Sequence, residues 1–144
     1  MSMLSSLDIT GSALTAERFR MNVILQNLAN IETTRTAEGT PYRRRQVVFT
    51  EKPIDFQNML ETERLRRGEG GVHVTRVVES DRDFIPVYDP SHPDANEEGY
   101  VLKPNVNRTE EQIDLMAASR AYEANLTALN VIKATALKAL EIGK

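Results

Sequence analysis

Apolar residues recur at alternating steps of three and four at both ends of this chain and lose that rhythm in between. In residues 109–142, which contain neither Gly nor Pro, one stripe carries Gln112, Leu115, Ser119, Tyr122, Leu126, Leu129, Lys133, Ala136 and Leu140. Near the start a second stripe carries Leu4, Leu7, Gly11, Leu14, Arg18, Met21, Leu25 and Leu28. Steps averaging about 3.5 keep one face of a helix toward a partner. The pattern therefore predicts two long helices, the second about 50 Å long. The expected fold is mainly α with a small β insert. The N- and C-terminal helices pair as a coiled coil, with a β-rich middle domain between them. The boundaries expected are 1–31 for the first helix, 32–105 for the β-rich insert with its loops, and 106–144 for the last helix. An ordinary helical hairpin inside one globular domain is the alternative that periodicity alone leaves open.

Local chemistry marks the helix ends. Thr109 and Gln112 have the spacing of a capping box, and Gly143 suits a left-handed C-terminal cap. Ser5 and Asp8 form a weaker capping pair, and Asn30 is a plausible terminator of the first helix. Each helix also carries apolar residues off its main stripe: Ile9, Phe19, Val23, Ile24 and Ile31 in the first, Ile113, Met116, Val131, Ile132 and Leu137 in the last. Burying a large apolar side chain is worth about 1.5–3 kcal/mol, so the surplus is an incentive for further partners. Packing of the middle of the chain over these residues is the other way to cover them. Asn22, Gln26, Asn27 and Asn30 crowd the end of the first helix. Amides between helices can fix register at a cost in stability.

The middle is broken by turn signals. Residues 32–42 read as a loop, 43–50 and 72–79 as strands, and 84–88 as a second short strand of the same small sheet. Residues 54–65 fit a short helix ambiguously, and 61–71 are charged and Gly-rich. Residues 89–94 form a turn or extended loop around two prolines. The Arg43-Arg44-Arg45 run, without a Gly-rich loop or interleaved aromatics, reads as a solvated strand edge.

Composition narrows the function. The net charge of −3 gives no concentrated basic face for nucleic acid. There are no cysteines, which excludes disulfides and thiolate chemistry. No stretch reaches the roughly 20 apolar residues of a membrane span, and the start lacks the pattern of a cleavable signal peptide. His73 and His92 have no metal-ligand spacing, and Asp81 and Asp83 are at most a fragment of a calcium loop. No nucleophile elbow, P-loop or dinucleotide fingerprint occurs. The reading is of a non-enzyme without a cofactor or metal. A cytoplasmic coiled-coil adaptor and an enzyme with an acidic site at Asp81 and Asp83 are the rival classes.

Specific stretches go further. Residues 12–30, SALTAERFRMNVILQNLAN, end in Asn27, Leu28, Ala29 and Asn30, and resemble the opening helix of the bacterial flagellar axial proteins. Residues 38–49, 71–84, 87–107 and 110–134 resemble the proximal-rod branch of that family, through GYV-x-x-PNVN followed by ASRAYEAN above all. Many axial proteins follow Ala-Asn with a short Thr-Pro-Gly-Tyr turn. Here residues 31–42 form a longer connection, which resembles the proximal-rod type and not the hook or distal-rod proteins.

The resemblance implies a structural subunit of the flagellar basal body, resident in the periplasmic rod and exported without a cleaved signal by the flagellar type III apparatus. It implies proximal and distal rod proteins and the rod–ring adaptor as partners, with self-association in a helical array. Within one subunit Leu14, Met21, Leu25 and Leu28 are expected to pair with Leu115, Tyr122, Leu126 and Leu129. Ile24 and Ile132 are expected to pack between subunits. The terminal segments are expected to be largely unstructured in the free monomer, because isolated helices are marginal in water.

Overall fold

The computed structural model describes residues 3–52 and 70–142. The chain runs α1 (Met3–Ala29), β1 (Arg45–Glu51), β2 (Val72–Glu79), β3 (Ile85–Tyr88), β4 (Tyr100–Lys103) and α2 (Arg108–Ile142). Two long terminal helices pack together with small sheets between them in sequence, the mainly-α architecture that the end stripes predict. Residues 54–65, read as an ambiguous helix, fall outside the described residues, as does Gly143.

The helix ends differ in detail from the sequence reading. The cap of α2 is Asn107, not Thr109: its Oδ1 accepts from the N–H groups of Thr109 at 2.9 Å and Glu110 at 3.3 Å. Asn is as good a cap as Thr, and sitting two residues earlier it lengthens the helix by that much. Glu110 and Glu111 then lie in the first turn, where the helix dipole favours negative charge. Ser5 is not a cap but a buried residue inside α1. Asn30 does end α1, by donating from Nδ2 to the carbonyl of Gln26 at 2.9 Å and accepting from Thr33 Oγ1.

Among the described residues there are two sheets, not one. β1 pairs with β2, and β3 pairs with β4. In the second sheet the strands are antiparallel, with Ile85 opposite Lys103, Val87 opposite Val101 and Tyr88 opposite Tyr100. β4 lies in a stretch to which the sequence pattern assigns no strand. Residues 89–99 that join the two strands close through Asn96. It accepts at Oδ1 from the Tyr100 N–H at 2.8 Å, and its own N–H donates to the Tyr100 carbonyl.

The chain divides into two compact units. The first comprises the described parts of Met1–Phe19, Val48–Arg76 and Ala117–Lys144. In it the β1–β2 ribbon meets α1 at Ser12, whose Oγ accepts from the Val72 N–H at 3.1 Å. Thr50 and Thr75 share a hydroxyl hydrogen bond across the ribbon. Gly71 makes the approach possible: its φ is +116°, and a Cβ there would collide with the Ser12 side chain. The second unit comprises Arg20–Val47 and Val77–Met116. It holds the β3–β4 hairpin, the 30–44 connection and the apolar core residues Val23, Ile24, Tyr42, Val101 and Val106.

Gly71→Ala should destabilise the protein by about 1–2 kcal/mol, the cost of a left-handed backbone for a residue with a Cβ. Urea unfolding of the purified chain measures it; a change near zero would mean that the ribbon does not seat closely on Ser12.

Candidate functional site

Asn27 is completely buried near the end of α1, and all four of its hydrogen-bonding positions are used. Nδ2 donates to Glu111 Oε2 at 2.9 Å and to the Arg45 carbonyl at 2.8 Å. Oδ1 accepts from the Tyr42 hydroxyl and from the Arg45 N–H, both at 2.9 Å. One amide thus joins α1, the start of β1 and the first turn of α2.

Glu111, also fully buried, is the next link. Its Oε1 accepts from Arg44 Nε, and Arg44 Nη2 reaches Asp114 Oδ2 at 2.9 Å. Asp114 in turn lies 3.8 Å from Arg20 Nη2 on α1. The Arg44 backbone is held as firmly: its N–H donates to Asn105 Oδ1 at 2.7 Å, and its carbonyl accepts from the Ser80 N–H at 2.8 Å. Asn105 Nδ2 donates on to the Arg82 carbonyl at 2.7 Å. Burial pulls the Arg44 guanidinium down, but the hydrogen bond to Glu111 and the charges of Glu111, Asp114 and Glu110 outweigh it and hold the group above its ordinary value. Burial pushes the Tyr42 hydroxyl up, with Glu111 and Glu79 adding to that against the opposing Arg45. Both shifts favour the protonated forms that donate these bonds.

Such a cluster contributes specificity more than net stability. Desolvating two charges costs several kcal/mol, which mutual attraction offsets only when the geometry is good and the remaining polar atoms are bonded. Here they are bonded, and only one alignment of the two helices brings Asn27 to Glu111. The lock therefore fixes which faces of the helices turn outward.

Those faces differ in part from the stripes expected. On α1 the buried positions include Ser5, Ala16 and Asn27, and on α2 Glu111 and Ala118. Among the residues expected to pair, Leu14, Met21, Leu28, Leu115, Tyr122 and Leu129 are half-buried, whereas Leu25 (49 %) and Leu126 (41 %) are exposed. Ile24, expected between subunits, is 5 % exposed and so already covered within the chain, and Ile132 is half-buried. Of the motif, Leu28 is half-buried and Ala29 exposed. The surplus apolar residues Ile113, Met116, Val131 and Leu137 are exposed, as are Phe19 and Leu140. In the first unit the outward apolar set is Phe19, Leu126, Val131, Leu137 and Leu140; in the second it includes Leu25, Ile113 and Met116.

The arginine run is a solvated edge only at Arg45, which is exposed. Arg44 is buried in the lock, Arg43 stacks over Phe84 at 4.5 Å and donates to the Ser80 carbonyl, and Arg45 lies over Tyr42 at 5.6 Å. Charged residues default to the surface, so composition misled; strand alternation, which turns the middle residue the other way, was the available signal. Tyr42, Asn105 and Glu111 lie in stretches that carry the resemblance, but periodicity and spacing assign none of them a role. Asp81 and Asp83 are exposed, and among the described residues no group of three His, Asp or Glu is placed to hold a metal. No helix among them is long and apolar enough to cross a membrane.

Comparison with known proteins bears on the whole chain. Residues 97–142 match the family model described as the flagellar basal body rod FlgEFG protein C-terminal. The chain is 47 % identical over 150 residues to the flagellar basal-body rod protein FlgC of Bacillus subtilis, covering all of both chains. It is 40 % identical over 144 residues to the protein of that name from Salmonella typhimurium, again covering all of both. With that of Borreliella burgdorferi it shares 39 % over 149 residues, 99 % of this chain and 98 % of the other.

Glu111→Leu should cost about 3 kcal/mol, because it strands Arg44 in the interior, with Asp114 as its remaining carboxylate. Adding Arg44→Met should recover a substantial part of that loss. A denaturation double-mutant cycle tests the coupling; strictly additive single effects would show that the two charges do not act as a unit.

Proposed function

The chain belongs to the family of the flagellar basal-body rod protein FlgC, and from that membership we propose that it forms part of the proximal rod, the section of the drive shaft that carries torque across the periplasm. It is a non-catalytic structural subunit of the basal-body rod. The observation that carries the reading is similarity over the full length of both chains to relatives that bear that name. Other rod proteins are its neighbours by family. Within the proposal they include further proximal subunits, the distal rod and the rod–ring adaptor, reached after export from the cytoplasm by the flagellar type III apparatus.

Two features support the reading physically. The polar lock holds the helix pair in one alignment, as a part that transmits torque must be held. The outward apolar residues then need covering, and each large one buried is worth about 1.5–3 kcal/mol. An open helical array covers them through heterologous contacts, one patch on a subunit meeting a different patch on the next. In this scheme Met21 and Leu28 pack with Leu115, and Leu14 with Tyr122 and Leu129. Ile24 and Ile132 join that inner layer. Leu25 and Leu126 turn instead toward neighbours, with Ile113, Met116 and Val131.

Leu129→Asp should abolish rod assembly and motility by placing a charge in the helix layer; normal rods in that variant would refute the pairing. Ile113→Asp should leave the stability of the purified chain within about 0.5 kcal/mol yet also abolish motility. Swimming by that variant would mean that the face is not a subunit contact. Fractionation tests the assignment itself: the protein should co-purify with basal bodies, whereas a cytoplasmic adaptor would stay soluble.

A further inference from the structure

The β3–β4 hairpin has one face that the described residues leave largely exposed. Residues directly opposite in an antiparallel pair share a face, and successive residues alternate. Val87 and Val101 therefore point one way, and Val101 is buried. Pro86 with Leu102 and Tyr88 with Tyr100 point the other way. Tyr88 is 64 % exposed and Leu102 49 %, and the two tyrosine rings meet edge to face at 5.3 Å. This is an aromatic platform of the kind enriched in the buried centres of protein interfaces.

Its rim is acidic. The connection that leaves Tyr88 and returns to Tyr100 carries Asp89, Asp94, Glu97 and Glu98 and no Lys or Arg. Asp94 is engaged by Thr34 and Arg35, while Glu97 and Glu98 are exposed. Hydrogen bonds from the Ser91 hydroxyl and N–H hold the Asp89 carboxyl below its usual range and keep it charged. The surface that fits must be apolar and basic. The last turns of α2 have that character: from Ala124 to Leu140 there is no acidic residue, Lys133 and Lys138 are exposed, and Val131, Leu137 and Leu140 are exposed beside them.

We propose that the Tyr88–Tyr100 platform of one subunit receives the C-terminal turns of α2 from a second copy of this chain. The inference rests on the rod-subunit reading and gives it one specific contact. Leu137 and Leu140 seat on the tyrosines and Leu102, while Lys133, one turn earlier on the same face of the helix, reaches the carboxylates of Glu97 and Glu98. The contact joins unlike patches, so it propagates from copy to copy. Its charged rim steers the encounter and sets the register, and its apolar centre holds it.

The test uses the absence of native cysteine. Two forms of the full chain, one with Leu102→Cys and one with Leu137→Cys, are co-expressed, and purified basal bodies are treated with a short thiol–thiol cross-linker. A cross-linked dimer containing one of each form is expected. Chain present in basal bodies without that dimer, or with either cysteine joined to a protein of another size, overturns the contact and leaves the rod reading standing. Absence of the chain from basal bodies overturns both. Charge reversal gives a second measure that needs no cysteine. Glu97→Lys with Glu98→Lys should weaken self-association of the purified chain about tenfold or more, and Lys133→Glu in the same chain should restore it. No loss, or no restoration, rejects the proposal.

Discussion

Everything in the second unit turns on a single buried amide. Asn27 has no free donor or acceptor, and its partners come from two separate stretches of the chain, 42–45 and the first turn of α2. An apolar residue there would pack at several neighbouring alignments of the helix pair. An asparagine must find Glu111, the Tyr42 hydroxyl and the Arg45 backbone together or be left with unsatisfied polar atoms, at about 1–3 kcal/mol for each. The Arg44–Glu111 pair raises the penalty for misalignment, since neither charge has water to fall back on. Register is thus imposed by polar groups, and adhesion is left to the apolar residues.

That division of labour explains the distribution of hydrophobic side chains. A self-contained globule of this composition would bury its large apolar residues first. Here the fully buried residues include Asn27, Glu111 and Val101, while Ile113, Met116, Val131 and Leu140 stand in solvent. The interior of the chain is occupied by the groups that set geometry, and much of the adhesive surface is turned outward. For the subunit of a shaft this is an economical arrangement, because the energy of packing becomes available only when the neighbour arrives.

Much of the fold was legible in the sequence because long amphipathic repeats and strand alternation are strong signals. α1, α2 and β2 follow directly from them. β3 and β4 were harder: each has four residues, and their pairing spans a connection with two prolines and a glycine that hides the hairpin. The helix faces were half legible. Ser5, Ala16 and Asn27 repeat every eleven residues, three turns at about 3.67 residues each. A stripe stepped at about 3.5 drifts off that line, so it places Leu25 inward and Ile24 outward. Around the lock, Asn27 could be suspected from the crowding of amides. Glu111 could not, because a glutamate in a first helical turn is ordinarily a solvated partner of the helix dipole. Arg44 was hidden by its two arginine neighbours, which made the three look like one charged edge.

A density map of the intact basal body, with this chain traced in it, joins the two halves of the picture. It should show Asn27, Glu111 and Arg44 in mutual contact inside each subunit, with Ile113, Met116 and Val131 covered by adjacent subunits. A rod in which the polar cluster is pulled apart, or in which those apolar side chains still face water, would contradict the idea that buried polar groups align the helices for their neighbours.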